Sequence, residues 1–252
     1  MAKILAIANQ KGGVGKTTTA INLGAALGAF EHRVLLVDCD PQGNATRGVG
    51  LRATPPHLYQ VLTGEAPASE AIRESGFPNL DLLPSDRDLV GVEVEFVGEE
   101  GWQLRLERVL ADVAAGYDVI LVDCPPSLGH LTVNALAAAD GVLVPLQCEY
   151  FALEGISELM ATVRRVKATL NPRLEVAGVL LTMYDDRTNL SKDVAAEVRR
   201  HFGDRVFEAV VPRNVRLAEA PSHGLPIFEY DIKCRGAEAY LDLAREYMRG
   251  AA

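Results

Sequence analysis

The chain is poor in cysteine, short of positive charge, and free of long apolar runs. Its four cysteines, Cys39, Cys124, Cys148 and Cys234, lie far apart and form no CxxC pair, so neither a disulfide framework nor a zinc knuckle is indicated. They read as small buried hydrophobes. Lysine and arginine number 25 against 34 aspartates and glutamates, for a formal net charge of −9. That balance excludes a uniformly basic coat for nucleic acid, so any DNA contact has to come from a local patch. No run approaches the roughly 20 apolar residues of a membrane span. The first residues lead straight into an apolar stretch, which leaves no cleavable signal, and the expected location is the cytoplasm. Internal repeats and low-complexity tracts are also missing.

What is present is a chain of 252 residues, 48% of them hydrophobic, enough to bury one sizeable core. A single domain spanning 1–252 is expected. Short β-branched or leucine-rich runs recur between helical stretches, at 4–8, 34–37, 80–83, 119–122, 142–146 and 176–182. This alternation predicts an α/β fold, a mostly parallel twisted sheet with helices on both faces. Ligand loops of such sheets lie beyond the carboxyl ends of the strands. The polar stretches 9–16, 38–42 and 123–127 all fall there, so three loops are expected to converge on one site. The segment 52–100 is less regular and reads as short peripheral helices around the strand at 80–83. In the last helix, Tyr240, Leu243, Ala244 and Tyr247 follow the i, i+3, i+4, i+7 spacing of a face packed on the sheet.

Lys11-Gly12-Gly13-Val14-Gly15-Lys16-Thr17-Thr18 follows an apolar strand and opens a helix, the context that a phosphate-binding P-loop needs. Glycines let the backbone wrap phosphates, and the N–H groups with the helix N-terminus supply a positive cradle. Lys16 is placed to reach the β- and γ-phosphates, and Thr17 to ligate Mg²⁺. Asp38 and Asp40, at i and i+2, point the same way from a strand end, so Asp38 suits the metal shell and Asp40 a water. Asp123, closing another apolar run, fits a role in holding Mg²⁺ directly or through a water. No glutamate follows it, only Cys124-Pro125-Pro126, so the attacking water needs another orienting group. Asp40 is the candidate.

Lys11 is more than an ordinary P-loop requires, and this pattern resembles the deviant Walker A superfamily of P-loop NTPases. Within it the chain resembles the ParA/Soj chromosome-partitioning ATPases, from Ile4 to about Tyr247. The resemblance rests on four stretches: Ala8 to Thr18, Asp38-Cys39-Asp40-Pro41-Gln42-Gly43-Asn44-Ala45-Thr46, Asp123-Cys124-Pro125-Pro126-Ser127, and Pro212-Arg213-Asn214-Val215-Arg216-Leu217-Ala218-Glu219-Ala220-Pro221-Ser222. The last matches the short chromosomal type, without an N-terminal DNA-binding extension. The resemblance implies an ATP-dependent sandwich homodimer that binds DNA nonspecifically on the nucleoid. It also implies hydrolysis stimulated by a ParB/Spo0J-type centromere-binding partner.

By the same resemblance, Lys11 reaches the partner protomer's nucleotide, Gly12 sits where dimer backbones approach, and Pro212-Arg213-Asn214 contacts adenine. No NKxD signature for guanine occurs, which favours ATP over GTP. The positions matching the family's DNA contacts are Arg187 and Arg216. Lys192, Arg199, Arg200, Arg205, Lys233 and Arg235 could extend them into a stripe interspersed with acids. Three rivals share the phosphate loop. A MinD-like membrane-associated division-site ATPase would end in a basic amphipathic helix, and the tail Glu246 to Ala252 offers too little apolar area and too few lysines for one. A cluster-bridging reductase would need a second cysteine to match Cys124. An ATP-dependent ligase is opposed by Lys11 and the 212–222 stretch.

Overall fold

The protein is described by a computed structural model covering residues 2–149 and 152–250. Among these, eight strands form one sheet: β1 (Lys3–Ile7), β2 (Val34–Asp38), β3 (Arg73–Phe77), β4 (Leu80–Leu83), β5 (Val119–Asp123), β6 (Gly141–Gln147), β7 (Glu175–Tyr184) and β8 (Val206–Pro212). They lie in the order β3-β4-β2-β5-β1-β6-β7-β8. Every pair is parallel except the β3–β4 pair at one edge. The central strands read as continuous apolar runs because both faces are covered by helices: all five residues of β2 and of β5 are buried.

The six expected strands are present with ends shifted by one or two residues, and two more complete the sheet. β3 carries Glu74, Ser75 and Gly76 and pairs with an irregular register, so its polar, glycine-bearing sequence lacks the apolar run that marks the others. β8 is an edge strand in which the exposed Glu208 interrupts the apolar run.

The core divides into two layers, one on each face of the sheet. Burial of each large aliphatic side chain contributes about 1.5–3 kcal/mol relative to exposure. The helix Lys16–Ala29 is buried along most of its length, wedged between the sheet and the last helix, Arg235–Gly250. Small residues permit that double contact. Tyr240, Leu243, Ala244 and Tyr247 all face inward as the spacing predicts, and the Tyr240 hydroxyl meets Thr19 Oγ1 at 3.1 Å. No helix among the described residues is long and apolar enough to cross a membrane.

β1 and β6 are laddered only from Gly141 to Leu143, and beyond that they diverge. Pro145, which has no N–H to give, pairs with Leu180 of β7 but lies beyond the ladder with β1. There its carbonyl accepts from Asn9 Nδ2 at 2.7 Å. The divergence opens the crevice at the carboxyl ends of the central strands, where a doubly wound sheet takes its ligands.

Candidate active site

The glycine loop leaves β1 in this crevice and enters the helix Lys16–Ala29. Gly13 and Gly15 have φ of 74° and 91°, a left-handed backbone that glycine adopts without cost. Three side chains fix the loop. Asn9 Oδ1 accepts from the Lys11 N–H at 3.0 Å, and the Thr182 hydroxyl of β7 donates to the Val14 carbonyl at 2.9 Å. Lys16 Nζ folds back to the Lys11 carbonyl at 3.0 Å. Lys16 is 7% exposed. Burial lowers its pKa, against the pull of Asp123, Cys124 and Asp40.

Asp38 and Asp123 are direct neighbours in register across β2 and β5, and both are fully buried. Their surroundings differ. Asp38 Oδ2 accepts from the Thr46 N–H at 2.8 Å and its hydroxyl at 2.7 Å, and Oδ1 accepts from the Asp40 N–H at 3.2 Å. Desolvation still pushes its pKa up to about 6. Neither oxygen of Asp123 has a hydrogen-bond partner. Burial first, then the Asp38 charge, drive its pKa well above the ordinary carboxylate range, with Thr17 and Lys16 opposing. A buried carboxylate with two unpartnered oxygens, facing a threonine hydroxyl, a lysine and another carboxylate, is a hard-oxygen donor set. Mg²⁺ fits this donor set.

Asp40 lies on the loop after β2 and is 7% exposed. Its Oδ1 accepts from the Gln42 N–H at 2.9 Å, and its carbonyl accepts from Ser85 Oγ at 2.8 Å. The Thr46 hydroxyl also accepts from the Ser85 N–H at 3.1 Å, so one threonine ties the Asp38 carboxylate to the segment after β4. Sequence reasoning did not single out Thr46 or Ser85 as supports of the site. Thr46 falls within the 38–46 stretch, but its role there comes from a contact with Ser85, 39 positions away, that no local spacing marks.

Lys11 lies at the rim, its ammonium 3.1 Å from Glu149 Oε2. Gly12 is exposed, lacks a positive φ, and would place a Cβ no closer than 4.0 Å to any atom, that of Pro126. Its own chain therefore does not require glycine there. Cys39, Cys124 and Cys148 are buried and Cys234 partly so, and burial raises the Cys124 thiol far above its usual range, as expected of small apolar fillers.

A cavity of about 360 Å³ opens beside the loop, lined by Gly15 and Thr18, by Pro212, Arg213 and Asn214 of the expected base-contacting stretch, and by Val215, Leu217 and Tyr240. Met183 of β7 also lines it, with φ 50° in an otherwise extended strand. The sequence pattern gives no sign of Met183 and places Tyr240 only in the packing face. Arg187 and Arg216 follow the carboxyl ends of the adjacent strands β7 and β8. Both are exposed and both are already ion-paired, Arg187 with Asp185 at 2.7 Å and Arg216 with Glu219 at 3.0 Å and Asp231 at 3.5 Å. Arg187, Arg213 and Arg235 line one cleft together with Asp185 and Asp186.

A family model described as an AAA domain matches residues 2–176. The chromosome partitioning protein ParA of Caulobacter vibrioides is 58% identical over 248 residues, 97% of this chain and 93% of that protein. The sporulation initiation inhibitor protein Soj of Bacillus subtilis is 54% identical over 248 residues, 98% of each. Among solved structures, a cobyrinic acid a,c-diamide synthase from Mycobacterium smegmatis with a bound ATP analogue and magnesium superposes with a TM-score of 0.88. It is 39% identical, over 99% of this chain and 95% of that one.

Proposed function

The chain belongs to the ParA/Soj family of chromosome-partitioning ATPases, and on that footing we propose that it is a nucleotide-controlled switch that hydrolyses ATP to ADP and phosphate. The observation that carries this reading is Asp123, a buried carboxylate with both oxygens unpartnered beside Lys16 and Thr17. Thr17 and Asp123 would hold Mg²⁺, and Asp38, whose oxygens already accept three hydrogen bonds, would add negative charge beside it. When bound, the metal neutralises phosphate charge. Gly12, Gly13, Val14, Gly15 and Thr18 cradle the phosphates, Lys16 leaves the Lys11 carbonyl for them, and Pro212, Arg213 and Asn214 line the adenine cavity. Asp40 orients the attacking water, its Oδ1 held by the Gln42 N–H and its backbone by Ser85.

ATP joins two protomers into a sandwich. Lys11 exchanges Glu149 for the partner protomer's phosphates, where it offsets developing charge as an arginine finger does. The glycine at position 12, unneeded by its own chain, leaves room for that approach. Two weak DNA patches, one per protomer and each centred on Arg187 and Arg216, then act as one bivalent surface, so affinity rises through effective concentration. Each arginine trades its carboxylate partner for a phosphate, which makes binding fall with salt. Hydrolysis, stimulated by a ParB/Spo0J-type partner, separates the protomers and releases the DNA. This puts the protein in the cytoplasm on the nucleoid.

The MinD-like alternative needs an amphipathic surface for a membrane, and the last helix spends its apolar face on the core. The solved relative named as a diamide synthase is less similar, at 39% identity, than the partition proteins at 58% and 54%. The deciding experiment measures binding to random-sequence duplex DNA with ATP, ADP or no nucleotide, at low and moderate salt. We expect binding with ATP alone, lost in the Arg187→Glu/Arg216→Glu variant while ATP-dependent dimers persist. Dimers that bind no DNA in any state would overturn this reading and send the test to liposomes.

A further inference from the structure

Six large apolar side chains are strongly exposed among the described residues, and three of them, Val90, Val94 and Val97 at 54%, 72% and 67%, lie within one short segment. Val90 lies in the 3-10 helix Arg87–Gly91, Val94 in the short helix Val92–Glu95, and Val97 in the turn just beyond it. The spacing i, i+4, i+7 places the three valines along one helical stripe. Leu89, Val92 and Phe96, between them, are 0%, 0% and 1% exposed. The segment therefore has one apolar face in the core and a second in solvent, the pattern of an element with another surface to cover.

Its position says what covers it. Glu93 anchors the segment to the loop that follows Asp123: its carboxylate accepts from the His130 N–H at 3.1 Å, pairs with His130 Nδ1 at 2.7 Å, and crowds Gly129. The same loop carries Pro126, whose Cβ lies 4.0 Å from the position a Gly12 Cβ would take. Lys11 and Gly12 are thus linked through Pro126 and the Gly129–His130 turn to the segment that carries the valines. A stable interface needs about 800 Å² from each partner, far more than a reaching lysine supplies, so a sandwich dimer must recruit apolar surface beside the glycine loop. The rim acids Glu95 and Glu99 are held by the Tyr59 hydroxyl and by Arg105, which limits their repulsion of a second acidic copy.

We propose that the Val90–Val94–Val97 stripe is part of the homodimer interface and is covered by a second copy of this chain when ATP is bound. The proposal rests on the sandwich-dimer reading above and adds the surface that gives the dimer its apolar contact. It also couples assembly to chemistry, because Glu93 connects the covered segment to the far end of the loop that follows Asp123.

The test compares sedimentation of the full chain with a non-hydrolysable ATP analogue and Mg²⁺ for the wild type, Val90→Ser/Val94→Ser, Val90→Glu/Val94→Glu and, as an exposed apolar control outside the stripe, Leu190→Ser. Fluorescent-nucleotide binding is measured alongside. Both stripe variants should bind nucleotide as the wild type does but dimerise at least roughly tenfold more weakly, the scale expected for two uncovered valines. Leu190→Ser should dimerise normally. A wild type that dimerises, with stripe variants that match it, overturns the proposal and leaves the switch reading intact. The proposal falls equally if the stripe variants dimerise normally and lose only stimulation by a ParB-type protein, which would assign the stripe to that partner. A wild type that stays monomeric with the analogue overturns both.

Discussion

The ends of β2 and β5 are the same device built twice and finished differently. Each is a fully buried apolar strand that closes on an aspartate, and the two aspartates stand side by side in register. At the β2 end the chain satisfies its own carboxylate: Thr46 and the Asp40 N–H supply three hydrogen bonds, and Ser85 fastens the loop behind them. At the β5 end no donor completes a hydrogen bond to either oxygen of Asp123. A carboxylate that its own fold completes holds a loop in place, whereas one without hydrogen bonds keeps both oxygens available.

The largest effect should come from closing the open end. Asp123→Asn removes the charge that a cation needs, so steady-state hydrolysis should fall by about a thousandfold, the scale of several kcal/mol of charge stabilisation. With a buried charge opposed only by Thr17 and Lys16, the same variant should melt at a higher temperature than the wild type in nucleotide-free, Mg²⁺-free buffer. Mg²⁺ should then shift its melting little. A variant that melts lower, or that still hydrolyses ATP, would erase the contrast between the two strand ends.

Opening the closed end should have the opposite signature. Thr46→Val deletes the hydroxyl that serves both Asp38 and the Ser85 N–H, leaving buried polar groups unpaired, and should cost about 1–3 kcal/mol in denaturant unfolding. A smaller change, Ser85→Ala, removes only the donor to the Asp40 carbonyl. About 0.5–1.5 kcal/mol and a several-fold slower turnover at unchanged nucleotide affinity are expected, because the Asp40 loop loses its anchor but the phosphate contacts do not.

The smallest effect belongs to the other end of β5. Asp118, just before the strand, forms a half-exposed pair with Arg33 at 2.7 Å, whose guanidinium and N–H hold its pKa down to about 2. Because the folded value lies below the unfolded one, the stabilisation is fully present above about pH 4 and disappears as pH falls through about 2. Asp118→Asn should therefore cost at most about 1 kcal/mol at neutral pH, with the difference from the wild type closing in acid-unfolding curves. A loss as large as that of Thr46→Val would show that burial does not set the ranking.

Much of this is readable from the chain. The glycine loop, the three strand-end loops and the packed face of the last helix follow from local spacing, because each is written within a short stretch. Asp38 and Asp123 both read as metal candidates, but their difference is not legible. It depends on which groups fold back onto each: Thr46 lies eight residues from Asp38 and Ser85 thirty-nine from Thr46, whereas no donor returns to complete Asp123. The base cavity is half legible. Pro212, Arg213 and Asn214 are marked by their resemblance to the family, whereas Met183 and Tyr240 arrive from a strand and a helix whose sequences report packing only. Strand β3 escapes because its polar, irregular edge carries no period.

The contact between Thr19 and Tyr240 also has a bearing on how the protein folds. The helix behind the glycine loop is wedged by a side chain 221 residues further along the chain than Thr19. β1 meanwhile waits for β5 to pair on one side and β6 on the other. Long-range pairings of this kind form late. The helix behind the glycine loop is thus fully braced only after sequence-distant segments have docked, so the order of the nucleotide loop depends on the whole sheet being in place.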